Sequence, residues 1–115
     1  MFSGDARAVP TPELSAALEQ LWQKFLPQLE ERISVLERAV EALTAGRLSG
    51  TMQADAHAAA HKLSGSLGTF GLASGTALAR EAELLCSEDR EIALDASARL
   101  AEIAAQLRAI LGNRR

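Results

Sequence analysis

With 115 residues, the chain has the size of one domain that can bury a single core without staples. Hydrophobic residues make up 48%, charged residues 23% and aromatics only 3%, with no tyrosine, so the core must be aliphatic and helix-packed. A formal charge of −3, with basic residues scattered among acids, excludes nucleic acid as the main partner, because backbone phosphates demand concentrated Lys and Arg.

The opening "MFSGDARAVPTPE" has two prolines, a glycine and no helical periodicity, and it lacks the apolar stretch of a signal peptide. Residues 1–11 therefore read as a flexible arm, followed by a helical bundle over 12–112 and a short tail at 113–115. Thr11 before Pro12 and Glu13 is a helix start: a capping hydroxyl, proline at the first helical position, then an acid. Apolar residues recur at three- and four-residue spacing from Leu14 to Leu43 and keep their phase across Pro27. A proline inside a helix costs about 3 kcal/mol, so this long unit is expected to kink or break near residues 23–26 and to end at Gly46.

Thr51 is the expected cap of a second helix, whose apolar stripe runs Met52, Ala56, Ala59, Ala60, Leu63, Leu67 and Phe70 before Gly71 closes it. Ser74 or a neighbour opens a third helix with Leu78, Ala82 and Leu85 inward. "CSEDRE" (86–91) is a turn in which Ser87 is followed three residues later by Arg90, an incomplete capping box. A last helix carries a heptad-like seam from Ile92 through Ile110, and Gly112 stops it. Short connections favour antiparallel neighbours, so the expected fold is all-α, an antiparallel up-down four-helix bundle. Trp22 reads as a packing anchor, and Cys86 as a buried small hydrophobe. A lone cysteine excludes an internal disulfide and fits a reducing, cytoplasmic setting, and no run of 18 apolar residues is present to span a membrane.

Around His61 the second helix gives up propensity. Each helical residue turns about 100°, which puts the apolar stripe within roughly 60° of Ala56 and His61 about 140° away, on the side opposite the core. Its neighbours at one-turn spacing are His57, Ala58, Ser64 and Gly65, with Gly68 a turn further. All but His57 are small, and two are glycines that each cost about 1 kcal/mol against alanine inside a helix. The small residues leave a bare surface on which a bulky partner can approach the ring. A neutral imidazole is a competent nucleophile near pH 7. No carboxylate lies at helical spacing on its face, and there is no Ser-His-Asp set or phosphate loop. Such an exposed nucleophile reads as a passive acceptor whose partner brings the catalysis.

The stretch "AHKLSGSLGTFGLASGTALAREAELL" resembles the histidine-containing phosphotransfer (Hpt) domain of multistep two-component phosphorelays. The motif match covers His61, Leu63, Gly65, Ser66, Gly68, Phe70 and Gly71. The resemblance implies a monomeric, non-enzymatic four-helix carrier. Its histidine takes a phosphoryl group on Nε2 from a receiver-domain phospho-aspartate and passes it to another receiver aspartate. Receivers, and in some systems a hybrid sensor kinase, would be the partners, and the receiver would supply Mg²⁺ and the catalytic side chains. His61 would be the phosphoacceptor, with Gly65 and Gly68 giving access. The family often has lysine three residues after the histidine, where this chain has Ser64; its lysine is Lys62, about 100° round the helix. Lys62 could reach with its long stem, Ser64 could donate one hydrogen bond to a phosphoryl oxygen, and His57 could add charge or a hydrogen bond on the same face.

Two other readings compete. His57 and His61 form HxxxH, a spacing that can hold Zn²⁺, but without the glutamate of a metalloprotease motif and needing Asp55, Asp5 or another carboxylate to complete it. A purely structural adaptor, pairing through its heptad-like last helix, would leave the small residues around His61 unexplained.

Overall fold

The computed structural model describes residues 11–89, 92 and 94–114. Thr11 caps the first helix as the sequence suggests: its hydroxyl accepts the Leu14 amide at 3.1 Å, and Pro12 occupies the first helical position. From there α1 (Pro12–Thr44) runs as one helix of 33 residues, so of the kink or break expected near Pro27 a break does not occur. Pro27 and Gln23 are both exposed, which lets the carbonyl that loses its amide partner open to solvent. Trp22, Leu26, Leu29 and Ile33 are buried on either side of the proline. Each such burial contributes about 1.5–3 kcal/mol, and together they outweigh the proline's cost of about 3 kcal/mol.

At the end of α1, Gly46 takes φ +72°, where an L side chain would be strained, and the Arg47 amide reaches back to the Ala42 carbonyl at 2.8 Å. The next helix, α2 (Gly50–Thr69), is capped by Ser49 and not by Thr51: the Ser49 hydroxyl accepts the Met52 amide at 3.1 Å from an extended backbone. Gly71 (φ +71°) closes α2 with the same back-reaching pattern, the Leu72 amide to the Leu67 carbonyl at 3.0 Å. α3 (Ala73–Leu85) begins at once, one residue before Ser74 and with no capping side chain. Ser87 donates to Asp89 in the following turn; Arg90 and Glu91, and residues 1–10 of the arm, lie outside the described residues. α4 (Ala96–Arg114) starts after Ile92, which is buried in the connection and not in the helix, and it passes through Gly112. Arg114 forms an ion pair with Glu19 at 3.0 Å and lies over the Trp22 ring at 4.9 Å, contacts that hold the last turn beyond the glycine.

Each helix packs side by side with two neighbours, α1 with α2 and α4, α3 with α2 and α4, and among the described residues the diagonal pairs face each other across the core. Contacts run in opposite order along every adjacent pair: Trp22 meets Phe70 edge to face at 5.1 Å while Arg32 meets Ser66, and Glu19 meets Arg114 while Glu37 meets Arg108. The fold is thus the expected all-α antiparallel bundle. Its core is a column of Leu29, Ile33 and Leu36 from α1, Leu63 and Leu67 from α2, and Leu100, Ile103 and Leu107 from α4. α3 contributes small residues, Gly75, Ala79 and Ala82, which bring its backbone close to α2. Leu14 and Leu21 of the expected stripe stand exposed near the start of α1, Leu14 ahead of the Glu19–Arg114 contact and Leu21 just after it. Among the described residues no helix is long and apolar enough to cross a membrane.

Candidate functional site

The stripe assigned to α2 is the buried one: Ala56, Ala59, Ala60, Leu63 and Leu67 are all inside, and His61 faces out with 70% of its side chain exposed. The helix survives its weak formers here because Leu63 and Leu67 anchor it from below and hydroxyls tie it from above. Ser64 Oγ donates to the His61 carbonyl at 2.9 Å, Thr69 Oγ1 donates to the Gly65 carbonyl at 3.2 Å, and Ser66 Oγ accepts from Arg32 of α1 at 3.1 Å. The Ser64 hydroxyl is therefore turned back into the helix and not outward, as expected from its position alone.

His61 is not unassisted. Glu83 of α3 places Oε2 2.9 Å from His61 Nδ1. A carboxylate can only accept, so Nδ1 carries the hydrogen and, in the neutral ring, Nε2 carries the lone pair and points to the exposed side. The same Glu83 oxygen lies 3.9 Å from His57 Nε2, and Glu88 lies 3.8 Å from His57 Nδ1, so the second histidine borders the same carboxylate. The orienting acid is absent from α2, as the sequence says, because the neighbouring helix supplies it. Its signal was the hairpin itself: His61 lies ten residues before Gly71 and Glu83 twelve after it, one position beyond the inward Ala82. Reflection about the Gly71 turn brings these levels together.

His61, Ser64, Arg80, Glu83 and Leu84 line one open concavity of about 410 Å³ between α2 and α3. Lys62 does not belong to it; it lines a separate groove on the α1 side with Arg32, Val35, Asp55, Ala58 and Ala59. Gly65 is exposed, and a Cβ added there meets nothing within 4 Å; at Gly68 it would make only an ordinary 3.7 Å contact with Thr76. Neither glycine is required by the packing of this chain. Gly75 is different, since a Cβ there would come within 3.1 Å of Leu67. Among the described residues no group of three or more His, Cys, Asp or Glu is placed to hold a metal ion.

A family model described as the Hpt domain matches residues 20–113. Protein RcaC of Microchaete diplosiphon is 35% identical over 68 residues, a match that covers 59% of this chain and 10% of that protein. The chain thus spans only a small part of the length of this relative. No solved structure matches it.

Proposed function

We propose, from the premise that this chain belongs to the Hpt domain family and so has a phosphorelay phosphotransfer role, that His61 is the residue on which the phosphoryl group rides. The observation that carries the proposal is the 2.9 Å contact between Glu83 Oε2 and Nδ1 of an outward-facing His61. It presents Nε2 with its lone pair free on a surface cleared of bulk. In the forward step Nε2 attacks the phosphorus of a receiver phospho-aspartate, the P–O bond to the aspartate breaks with its electron pair, and a P–N bond forms. The imidazole gains positive character as it attacks, and Glu83 offsets it while retaining the proton on Nδ1. The reverse sequence delivers the group to another receiver aspartate. The receiver brings the aspartate, Mg²⁺ and the catalytic side chains, and this domain acts as carrier, working as a monomer.

The test is intact mass after mixing with receiver domains preloaded with phosphate, on wild type and His61→Gln in parallel. A gain of one acid-labile phosphoryl group in wild type alone is the expected result. Equal gain in the variant would remove His61 from the role.

A further inference from the structure

A phosphoryl group on Nε2 brings close to two negative charges, and it arrives beside the Glu83 carboxylate that holds Nδ1. The positive ring offsets one of these charges, and the negative charge that remains favours a cation on the same surface. Lys62 faces a different groove, on the α1 side. Arg32 is engaged with Ser66 and Gln28. His57 lies between Glu83 and Glu88, turned to those carboxylates. Among the residues lining the His61 concavity one lysine or arginine remains, Arg80.

Arg80 stands on the exposed face of α3, one turn before Glu83 and Leu84, and among the described residues no hydrogen bond or ion pair engages its guanidinium. By contrast Arg99 and Arg108, on α4, are both tied to glutamates of neighbouring helices. The level of Arg80 relative to His61 is fixed from below, because Gly75 lets α3 settle against Leu67 of α2. Building on the assignment of His61 as acceptor, we propose that Arg80 is the phosphoryl-binding cation of this domain, reaching from α3 to pair with the group on Nε2. A guanidinium offers two parallel N–H donors that match two phosphoryl oxygens, and it holds its charge at every working pH. It takes on, from the facing helix, the role that Ser64 cannot fill with an uncharged hydroxyl bonded to the His61 carbonyl. Arg80 makes the concavity selective for a dianionic tetrahedral group over a carboxylate or a neutral ligand.

The experiment uses phosphoramidate, a small donor whose P–N bond breaks to release ammonia as the bond to Nε2 forms, so no cognate receiver is needed. Wild type, His61→Gln, Arg80→Ala and Arg80→Lys are compared for labelling rate by intact mass and for ³¹P NMR titration of the phosphohistidine. Labelling should be about tenfold slower in Arg80→Ala and largely restored in Arg80→Lys. The second protonation of the phosphoryl group should move to higher pH in Arg80→Ala, because loss of the cation favours the protonated form. The His61 ring itself, through Nδ1, and His57, Glu83 and Glu88 are the other titrating groups that face the site, and all are unchanged across the Arg80 variants. A purely structural role for Arg80 would not move that titration. If His61→Gln abolishes labelling while Arg80→Ala matches wild type in rate and titration, the Arg80 assignment is overturned and the acceptor stands. Labelling that persists in His61→Gln overturns the acceptor, and the Arg80 assignment with it.

Discussion

At His61 one carboxylate decides which ring nitrogen is free. Without Glu83 the neutral imidazole would share its hydrogen between two tautomers, and only one of them presents a nucleophilic Nε2 to solvent. A hydrogen bond to a charged group is worth about 1.5–3 kcal/mol, so Glu83→Ala should slow phosphoryl uptake roughly tenfold to a hundredfold. Glu83→Gln keeps an accepting oxygen and loses the charge, and it should fall between. ¹⁵N NMR of His61 reads the cause directly, as a shift from Nδ1–H towards Nε2–H in the alanine variant. Unchanged tautomer populations in Glu83→Ala would dismiss the orienting role. The outward direction and small neighbours of His61, the proposed acceptor, were legible in the sequence because both follow, on one helix, from a 100° turn per residue. Glu83 and Arg80 were not, because their relation to His61 is set by the register between two helices, and only the Gly71 turn hints at it.

At the scale of a helix, two glycines of similar appearance do opposite work. Gly65 faces open space, and replacing it removes a propensity cost of about 1 kcal/mol, so Gly65→Leu should leave the bundle as stable as wild type or slightly more so. On the proposed role the same leucine stands where a receiver comes up to His61, so transfer from a phosphorylated receiver should drop at least tenfold while labelling by phosphoramidate is little changed. Equal loss with both donors would mean that the side chain disturbs the imidazole and not the docking. Gly75 is the contrast, since its Cβ position already lies 3.1 Å from the fully buried Leu67. Gly75→Val overpacks the α2–α3 contact and should cost about 1–3 kcal/mol, visible in chemical denaturation. Helix existence was readable from apolar spacing, and the ends at Thr11, Gly46 and Gly71 from cap chemistry. Local rules yielded where they compete with tertiary contacts: the helix passes through Gly112 and does not break at Pro27, and Ser49 took the cap because its backbone, two residues before Thr51, is already extended.

The whole bundle separates support from function. α4 packs alongside α1 and α3, and the helix carrying His61 lies diagonally across the core from it, with His61 on the face turned away from that core. Charged pairs bind α4 in place: Arg108 bonds both carboxylate oxygens of Glu37 and the Ser34 hydroxyl, Arg99 bonds both oxygens of Glu81, and Arg114 meets Glu19. The Arg108 guanidinium holds Glu37 below its ordinary 4.5, and Arg99 does the same for Glu81. A carboxylate whose folded value is depressed contributes stability that is present above its unfolded value and lost as the pH falls through the folded one. Stability should therefore be level from neutrality down to about 4.5 and decline below it. Arg108→Ala removes one such link. Because the pair is partly exposed, its loss should amount to about 0.5–1 kcal/mol at pH 7, and it should shrink at an acid pH below the lowered folded value of Glu37, where Glu37 is protonated in both proteins. Phosphoramidate labelling of His61 in the variant, measured where it is fully folded, should equal wild type. Denaturation curves for both proteins at the two pH values decide the matter: a stability gap that persists undiminished in acid would show that Arg108 holds α4 by packing of its stem and not by its charge, and slowed labelling would show that α4 reaches the site after all.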